Sequence, residues 1–369
     1  MIRKDRKGRR RCLTFPLFCL IPRTLLTFSP LFFEPAGVTY KGNALSETQE
    51  GNLVYQGDDV TKYSEDLYKL ADKGEDVTIS KNNSQQHIME FTKQLSQVNA
   101  QDATDAQHPG SIANLIDSPQ HTLIHMAINF LIGSWDGFWY QASNYYLNQD
   151  LQTKKWTLIT YDFDETYGNG IEDASLGTVA YENYSRPGAP RPLVTVFLNN
   201  TYYKNQFENT LKTIVKRFFK PSVVDARLQA WSGMLKEDIV WTRQIPGRSP
   251  GTKTTFTLQD FQEGLLGNST ASIHQWVSQR SAALTRQLNF QDNDDLPPLP
   301  AYTAGSHLDA NGNVVSSNGT TISTGNNSTT PGASNGTNTA TQHTSLAVSV
   351  HSVSLGTLFF TLAVLSLNF

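Results

Sequence analysis

Lys154–Gly170, KKWTLITYDFDETYGNG, decides how this chain is read. Two lysines lead into an apolar run that ends in Asp162 and Asp164, separated by one residue, with glycines close behind. Besides a solvated turn, paired carboxylates at a strand mouth serve a calcium loop, an aspartyl phosphatase or the metal end of a phosphotransferase. A calcium loop of the EF-hand kind wants glycine at its sixth position and a closing glutamate at its twelfth. Counted from Asp162, those places hold Tyr167 and Asp173, and the calcium loop is set aside. The phosphatase reading fits the D-x-D-x-T spacing of Asp162, Asp164 and Thr166. It also needs a later lysine and an acidic pair ending another strand. The later acids in KEDIV and NDDL follow no such strand, and Gly57–Asp58–Asp59 lies upstream, so it stays a lesser alternative.

Outward from this stretch, DSPQHTLIHMAINFLIGSW reads as a helix with Pro119 in its first turn and Gly133 as its stop. Leu123, Ile124, Ala127, Phe130 and Leu131 form its apolar stripe. Asp136 follows in a loop. QASNYYLNQD and KKWTLITYDFD read as the strands of a hairpin, and Asn144 opens the first. Aspartate after a helix, asparagine at a strand start and aspartate at the end of its partner is the order of a protein-kinase centre. There one carboxylate positions and deprotonates a hydroxyl, while the asparagine and second aspartate hold the metal that neutralises phosphate charge. The kinase gap from base to asparagine is about five residues. Asp136 and Asn144 are eight apart, which implies a bulged loop or a shifted ligand.

The rest of residues 37–291 reads as mixed α and β. NLVYQGDDV (52–60) alternates like a short strand, and SQQHIMEFTKQLSQV places Ile88, Phe91, Leu95 and Val98 on one helical face. Residues 171–195, with Pro187, Pro190 and Pro192, read as an acidic, aromatic loop open to a recognition role. Helices resume in NQFENTLKTIVKRFFK, in VDARLQAWSGMLKEDIVWTR, and from TLQDFQEGLL through SIHQWVSQRSAALTRQLNF. Trp135, Phe138, Trp139, Tyr140, Tyr145 and Tyr146 suit either a hairpin core or a carbohydrate or partner platform. His121 and His125 are four apart but make no convincing metal spacing.

Net charge is −3, but residues 1–36 carry eight Lys/Arg against two acids and the remainder 22 against 31. A net-acidic body argues against a nucleic-acid binder, which needs clustered Lys and Arg on phosphates. Cys12 and Cys19 are the only cysteines, so neither a disulfide nor a cysteine zinc site staples the main domain. Residues 1–36 run basic then apolar, as a leader would, but Pro16, Arg23 and Pro30 interrupt the apolar part. A nuclear address and a misread start are the other readings of that segment. Residues 292–345 form a Ser/Thr/Asn/Gly-rich tract, expected as a disordered stalk. Residues 346–369 are an uncharged apolar tail. Small residues at Ser334, Asn335 and Gly336, a polar spacer and that tail have the order of a glycosylphosphatidylinositol signal, with Asn335 as attachment residue; a tail-anchored helix is the alternative. Such a signal requires the secretory pathway, in which Asn82, Asn183, Asn199, Asn268, Asn318, Asn326 and Asn327 are N-glycosylation acceptors.

SWDGFWYQASNYYLNQDLQTKKWTLITYDFDETYG resembles the CotH family, the spore-coat-protein-H kinases, in its Asp, N-Y-Y-L stretch, K-W and apolar strand into D-F-D with glycine behind. The resemblance covers most of residues 37–291. It implies an α+β, atypical protein-kinase-like fold, mainly the helix-rich large lobe with a catalytic β-hairpin. By the same resemblance Asp136 is the catalytic base, Asn144 and Asp162 are metal ligands, and Asp164 is a direct or indirect ligand. ATP and Mg or Mn are the implied cofactors, and secreted or coat proteins the substrates. Resemblance to the anchored surface members of Mucorales fungi implies instead, or in addition, an invasin that engages host-cell receptors. One departure is on the nucleotide side: the first 36 residues hold no glycine-rich loop, and Lys41 in GVTYKGN fits the phosphate-binding lysine poorly, so the small lobe reads as missing or truncated.

The anchor reading is checked on protein displayed at the cell surface. Phosphatidylinositol-specific phospholipase is expected to release it, and retention of protein bearing unmodified inositol would count against lipid attachment.

Overall fold

The computed structural model describes residues 37–99, 110–171, 173–245, 256–269, 272–298, 307–308 and 314–315. The leader, the tail, Asn318, Asn326, Asn327 and Asn335 lie outside the described residues. Those described make an α+β body of one four-stranded antiparallel sheet, seven helices and a two-stranded pair. In the sheet, β1 (Val38–Gly42), β2 (Tyr68–Asp72), β3 (Tyr145–Gln149) and β4 (Trp156–Thr160) lie in the order β2-β1-β3-β4. The expected β3–β4 hairpin is present, with Leu147 opposite Leu158.

The hairpin is extended by two strands that the sequence reading did not place. β1 pairs with β3 from more than a hundred residues away, Tyr40 opposite Leu147, and β2 pairs with β1. Five-residue strands with such distant partners leave no local turn signal. Side-chain alternation gives the sheet one buried and one open face. Tyr40, Leu147 and Leu158 form a row on the inner face, and all are buried. Lys41, Tyr146 and Ile159 form a row on the outer face, where Ile159 is 41% exposed.

Residues 52–60 are not the strand their alternation predicted. Leu53 takes a φ of 64° and is buried, and the amides of Leu53 and Gln56 are satisfied by the hydroxyls of Tyr68 and Tyr63 at 2.9 Å each. Two phenols replace the ladder partners that a strand would have needed.

Against the inner face pack α1 (Gln86–Ser96) and α2 (Pro119–Ile132). Phe91 on α1 meets Trp156 at 5.0 Å between ring centroids, and Tyr40 meets the same indole at 6.2 Å. Ser118 caps α2 through the His121 amide, and Pro119 occupies the first turn. The helix is buried well beyond the expected stripe, from Met126 through Ile132, so it is the central column of the domain. The long loop expected after Gly170 ends early, because α3 (Pro192–Asn199) starts on Pro192, whose ring presets a helical φ. Then follow α4 (Thr201–Arg217), α5 (Pro221–Gln244), α6 (Leu258–Leu266) and α7 (Ile273–Gln287). Among the described residues no helix is long and apolar enough to cross a membrane.

At the start of the tract read as a stalk, Asp295 pairs with Lys216 at 2.6 Å, and Arg217 and Lys220 donate to the carbonyls of Pro297 and Asp292. Farther on, β5 (His307–Leu308) pairs with β6 (Val314–Val315).

Gly133 ends α2 at a φ of 66°, and a Cβ there would lie 2.0 Å from Cζ2 of Trp276, whose indole donates to Leu131 O at 2.8 Å. Gly133→Ala therefore meets both a left-handed backbone and a wall, and is expected to cost about 2–4 kcal/mol. Urea unfolding checks this, and Gly133→Asn, which tolerates the φ, is expected to fare little better.

Candidate functional site

The site is assembled by three turns at one end of the sheet. The first is the α2 exit. Gly133 redirects the chain into Ser134–Gly137, and the Trp135 indole ties it to the turn after β4 by donating to Asn169 O at 2.8 Å. Asp136 stands in this exit, with Oδ2 accepting from Asn144 Nδ2 at 2.8 Å. The eight-residue gap is taken up by a bulge. The amides of Gln141 and Ser143 both donate to Gly137 O, while Ala142 and Asn144 take left-handed φ values of 52° and 51°.

The second turn follows from strand register. Tyr161 N donates to Asn144 O at 3.1 Å, so Asp162 leaves β4 beside the start of β3. Asp162 also has a left-handed φ, 56°. Asparagine and aspartate tolerate this region better than other non-glycine residues, and such outliers concentrate at functional sites.

The third turn, Phe163–Gly170, is braced from inside. Thr166 Oγ1 donates to Phe163 O at 2.7 Å, Asn169 Nδ2 to Asp164 O at 3.0 Å, and Tyr167 N to Ile132 O at 2.7 Å. Tyr167 takes a φ of 53° with its ring buried, so the sharp turn reserved for glycine is made by an anchored tyrosine. Tyr167 therefore fits the sixth position of a calcium loop, and what counts against one is the missing closing glutamate, with Asp173 in its place. Thr166 is spent on the turn, and both Asp173 carboxylate oxygens accept from Ser175.

Electrostatically the site is strained by its own acids. Burial, then the charges of Asp164, Glu165 and Asp162, push Asp136 up to about 7, and its Oδ1 is buried without a hydrogen-bond partner. Burial and then the neighbouring Asp164 raise Asp162, and burial with the Asp164 charge raises Glu165. Opposite them is Lys41, on the strand beside β3. Its ammonium lies 5.3 Å from the Tyr161 ring centroid, and the Tyr161 hydroxyl, with a smaller contribution from Asp162, holds its pKa above the ordinary value. The sequence placed Lys41 poorly because only the β1–β3 register brings it here. Glu165 was likewise missed, its one sequence signal being adjacency to Asp164. Its buried Oε2 fits under Gly170, where a Cβ would lie 2.1 Å from that oxygen.

The donor set is oxygen only: Asp136, Asn144, Asp162 and Asp164. Hard oxygens suit magnesium or manganese, and magnesium is commonly held by one or two carboxylates together with substrate phosphates. The orphaned Asp136 oxygen, and the raised Asp136 and Asp162, fit a divalent cation. Among the described residues, no three His, Cys, Asp or Glu side chains converge as a complete metal cage.

Other candidates sort by burial. Phe138, Trp139 and Tyr145 are core, with Phe138 and Tyr145 edge-on at 5.2 Å, whereas Tyr146 stacks near Tyr161 at 4.7 Å on the outer face. His125 is half-buried, with its ring nitrogen 2.8 Å from Thr160 Oγ1, and desolvation holds it down at about 4. Asn82, Asn183, Asn199 and Asn268 are all exposed.

The raised Asp136 gives a pH signature. Its folded value of about 7 exceeds the ordinary 3.8, so the folded state binds that proton more tightly. Stability therefore falls as pH rises through this interval and stays lower above it. In metal-free buffer at pH 8, Asp136→Asn is expected to melt about 2–4 °C above wild type. The gap should close as the pH falls toward the ordinary carboxylate value of 3.8; equal melting at pH 8 would contradict the half-buried, repelled carboxylate.

Compared with known proteins, the chain matches the family described as CotH kinase protein over residues 32–284. It is 27% identical over 223 residues to "Spore coat protein homolog 1" of Rhizopus delemar, covering 57% of this chain and 36% of that protein. It is 26% identical over 206 residues to "Invasin CotH2" of the same organism, covering 52% and 34%. With "Invasin CotH7", also from Rhizopus delemar, it shares 28% over 189 residues, covering 51% and 31%. The matches span about a third of the length of these curated relatives. With a family match extending over well more than half of its length, the chain belongs to the CotH kinase protein family.

Proposed function

We propose that this domain has an atypical protein-kinase-like fold and transfers phosphate from ATP to hydroxyls of secreted or coat proteins. The observation that carries this reading is the Asp136–Asn144 hydrogen bond, with Asp162 delivered beside it by the β3–β4 ladder. Asp136 accepts the proton of the attacking hydroxyl as that oxygen bonds to phosphorus and the bond to the ADP oxygen breaks. Burial, which raises Asp136 above the ordinary carboxylate range, favours it as a proton acceptor. Asn144 holds its carboxylate in one orientation. Asn144, Asp162 and Asp164 would hold magnesium or manganese, which supplies charge neutralisation on the phosphates. Lys41 offers an ammonium to the same phosphates, and Tyr146, Ile159 and Tyr161 provide an apolar floor for the nucleotide base.

The protein works at the outer cell or spore surface, held by a glycosylphosphatidylinositol lipid attached at Asn335. Exposed acceptor asparagines in the domain and relatives named for the spore coat and for invasion support this location. The invasin names also favour a second reading, in which the domain binds host-cell receptors with little or no catalysis.

Purified protein incubated with labelled ATP and magnesium or manganese separates the two. Incorporation is expected to fall about 100-fold or more in Asp136→Ala, Asp162→Asn and Lys41→Ala. No incorporation by wild type, alongside saturable host-cell binding, would sink the enzyme in favour of the adhesin.

A further inference from the structure

Residues 171–195 read in sequence as a candidate recognition surface, yet the second half of this segment turns inward and grips the Asp136 loop. The Tyr184 hydroxyl bridges Asn129 O at 3.3 Å and Ser134 O at 3.2 Å, and the Trp139 indole donates to Ser185 Oγ at 3.0 Å. Arg191, 4% exposed, goes further, since each of its five donors has an acceptor. Nε donates to Trp139 O at 2.6 Å, and Nη1 to Glu50 Oε1 and Pro190 O at 2.8 Å each. Nη2 donates to Glu50 Oε2 at 3.0 Å and to Tyr140 O.

Glu50 is itself 5% exposed and also accepts from Arg186 at 2.8 Å. It closes the loop that follows the Lys41 strand. That loop touches the Asp136 loop again where Ala44 N donates to Ser143 Oγ at 3.1 Å and Gln141 Nε2 to Ser46 O at 3.2 Å. Tyr145, the first residue of β3, donates its hydroxyl to Gly51 O. One guanidinium therefore stands between the segment leaving Lys41 and the segment leaving Asp136.

We propose that Arg191 is a positioning residue: through Glu50 and the carbonyls of Trp139 and Tyr140 it locks the Asp136 loop to the loop following Lys41. The proton-accepting and phosphate-binding halves of the site then move as one body. The roles of those halves rest on the phosphotransfer reading, whereas the coupling of the loops does not. The task needs an arginine, because its planar fork meets both carboxylate oxygens while its remaining donors reach carbonyls; an ammonium offers only a compact point charge.

Arg191→Lys keeps the charge and removes the fork. Hydrogen exchange read by mass spectrometry is expected to speed at least about tenfold in peptides spanning 43–51 and 137–145, with α4 and α7 within about twofold of wild type. In a phosphotransfer assay the same variant is expected to lose about tenfold or more in kcat with KM for ATP nearly unchanged, the signature of misplaced reacting groups. Uniform acceleration through α4 and α7, no change in the two loops, or a raised KM with kcat retained would each overturn the proposal. Should Arg191→Lys fail to fold, Glu50→Leu combined with Arg191→Met removes the buried pair together, and the exchange criteria stand as before. A wild type without phosphotransfer would end the functional reading alone, with loop coupling still decided by exchange.

Discussion

Tyr40, Leu147 and Leu158 lie in one row across β1, β3 and β4, and the register of that row is the constraint on which the site depends. A slip of one residue in either pairing would exchange the buried and open faces of the sheet. It would also carry Asn144 away from Tyr161 and Lys41 away from Tyr146. Burial of the inner row is what forbids the slip. Tyr40, Leu147, Trp156 and Leu158 are each at most 1% exposed, and moving them to the outer face would cost their transfer from a packed interior. The chemistry at the mouth of the sheet is thus held in place by apolar contacts several residues away.

Polar groups inside this domain are distributed to the same end. Arg280, fully buried on α7, donates to the carbonyls of Leu176 and Val179 and lies 4.1 Å from the Phe130 ring centroid. Burial lowers it to about 10, which keeps it charged at neutral pH, where carbonyls and aromatic faces repay part of its desolvation. Through those contacts it fastens the segment after Gly170 to the central helix. Glu50 and Arg191 do the corresponding work on the other flank, by charge pairing in place of ring contacts. Buried pairs of this kind add little net stability, but they are specific in geometry. Geometry is what a centre made of loops lacks on its own.

The site acids are the region where stability is given up. Asp136 is half-buried among like charges, and four of the surrounding loop residues have left-handed backbones without being glycine. A fold selected for stability alone would relax both features. Their persistence beside a well-packed α2 is consistent with a core that over-determines the loops around it.

Local chemistry determined much of this protein. Period and capping gave α1, α2 and the long C-terminal helices, and the β3–β4 pair was legible because its strands are close in sequence and joined by a polar turn. Asp136, Asn144 and Asp162 were legible too, since a helix stop and two strand ends are short-range signals. Tertiary structure alone decided what depends on distant pairing. It made β1 and β2 strands, placed Lys41 at the mouth of the sheet, and turned residues 184–191 from a surface into a brace. It also reversed two local expectations, Tyr167 as unfit for a left-handed turn and residues 52–60 as a strand. In both cases a buried tyrosine ring or hydroxyl outweighed the backbone preference. A local pattern carries propensity, whereas long-range register is set by which apolar faces find one another, and no window of a dozen residues contains that choice.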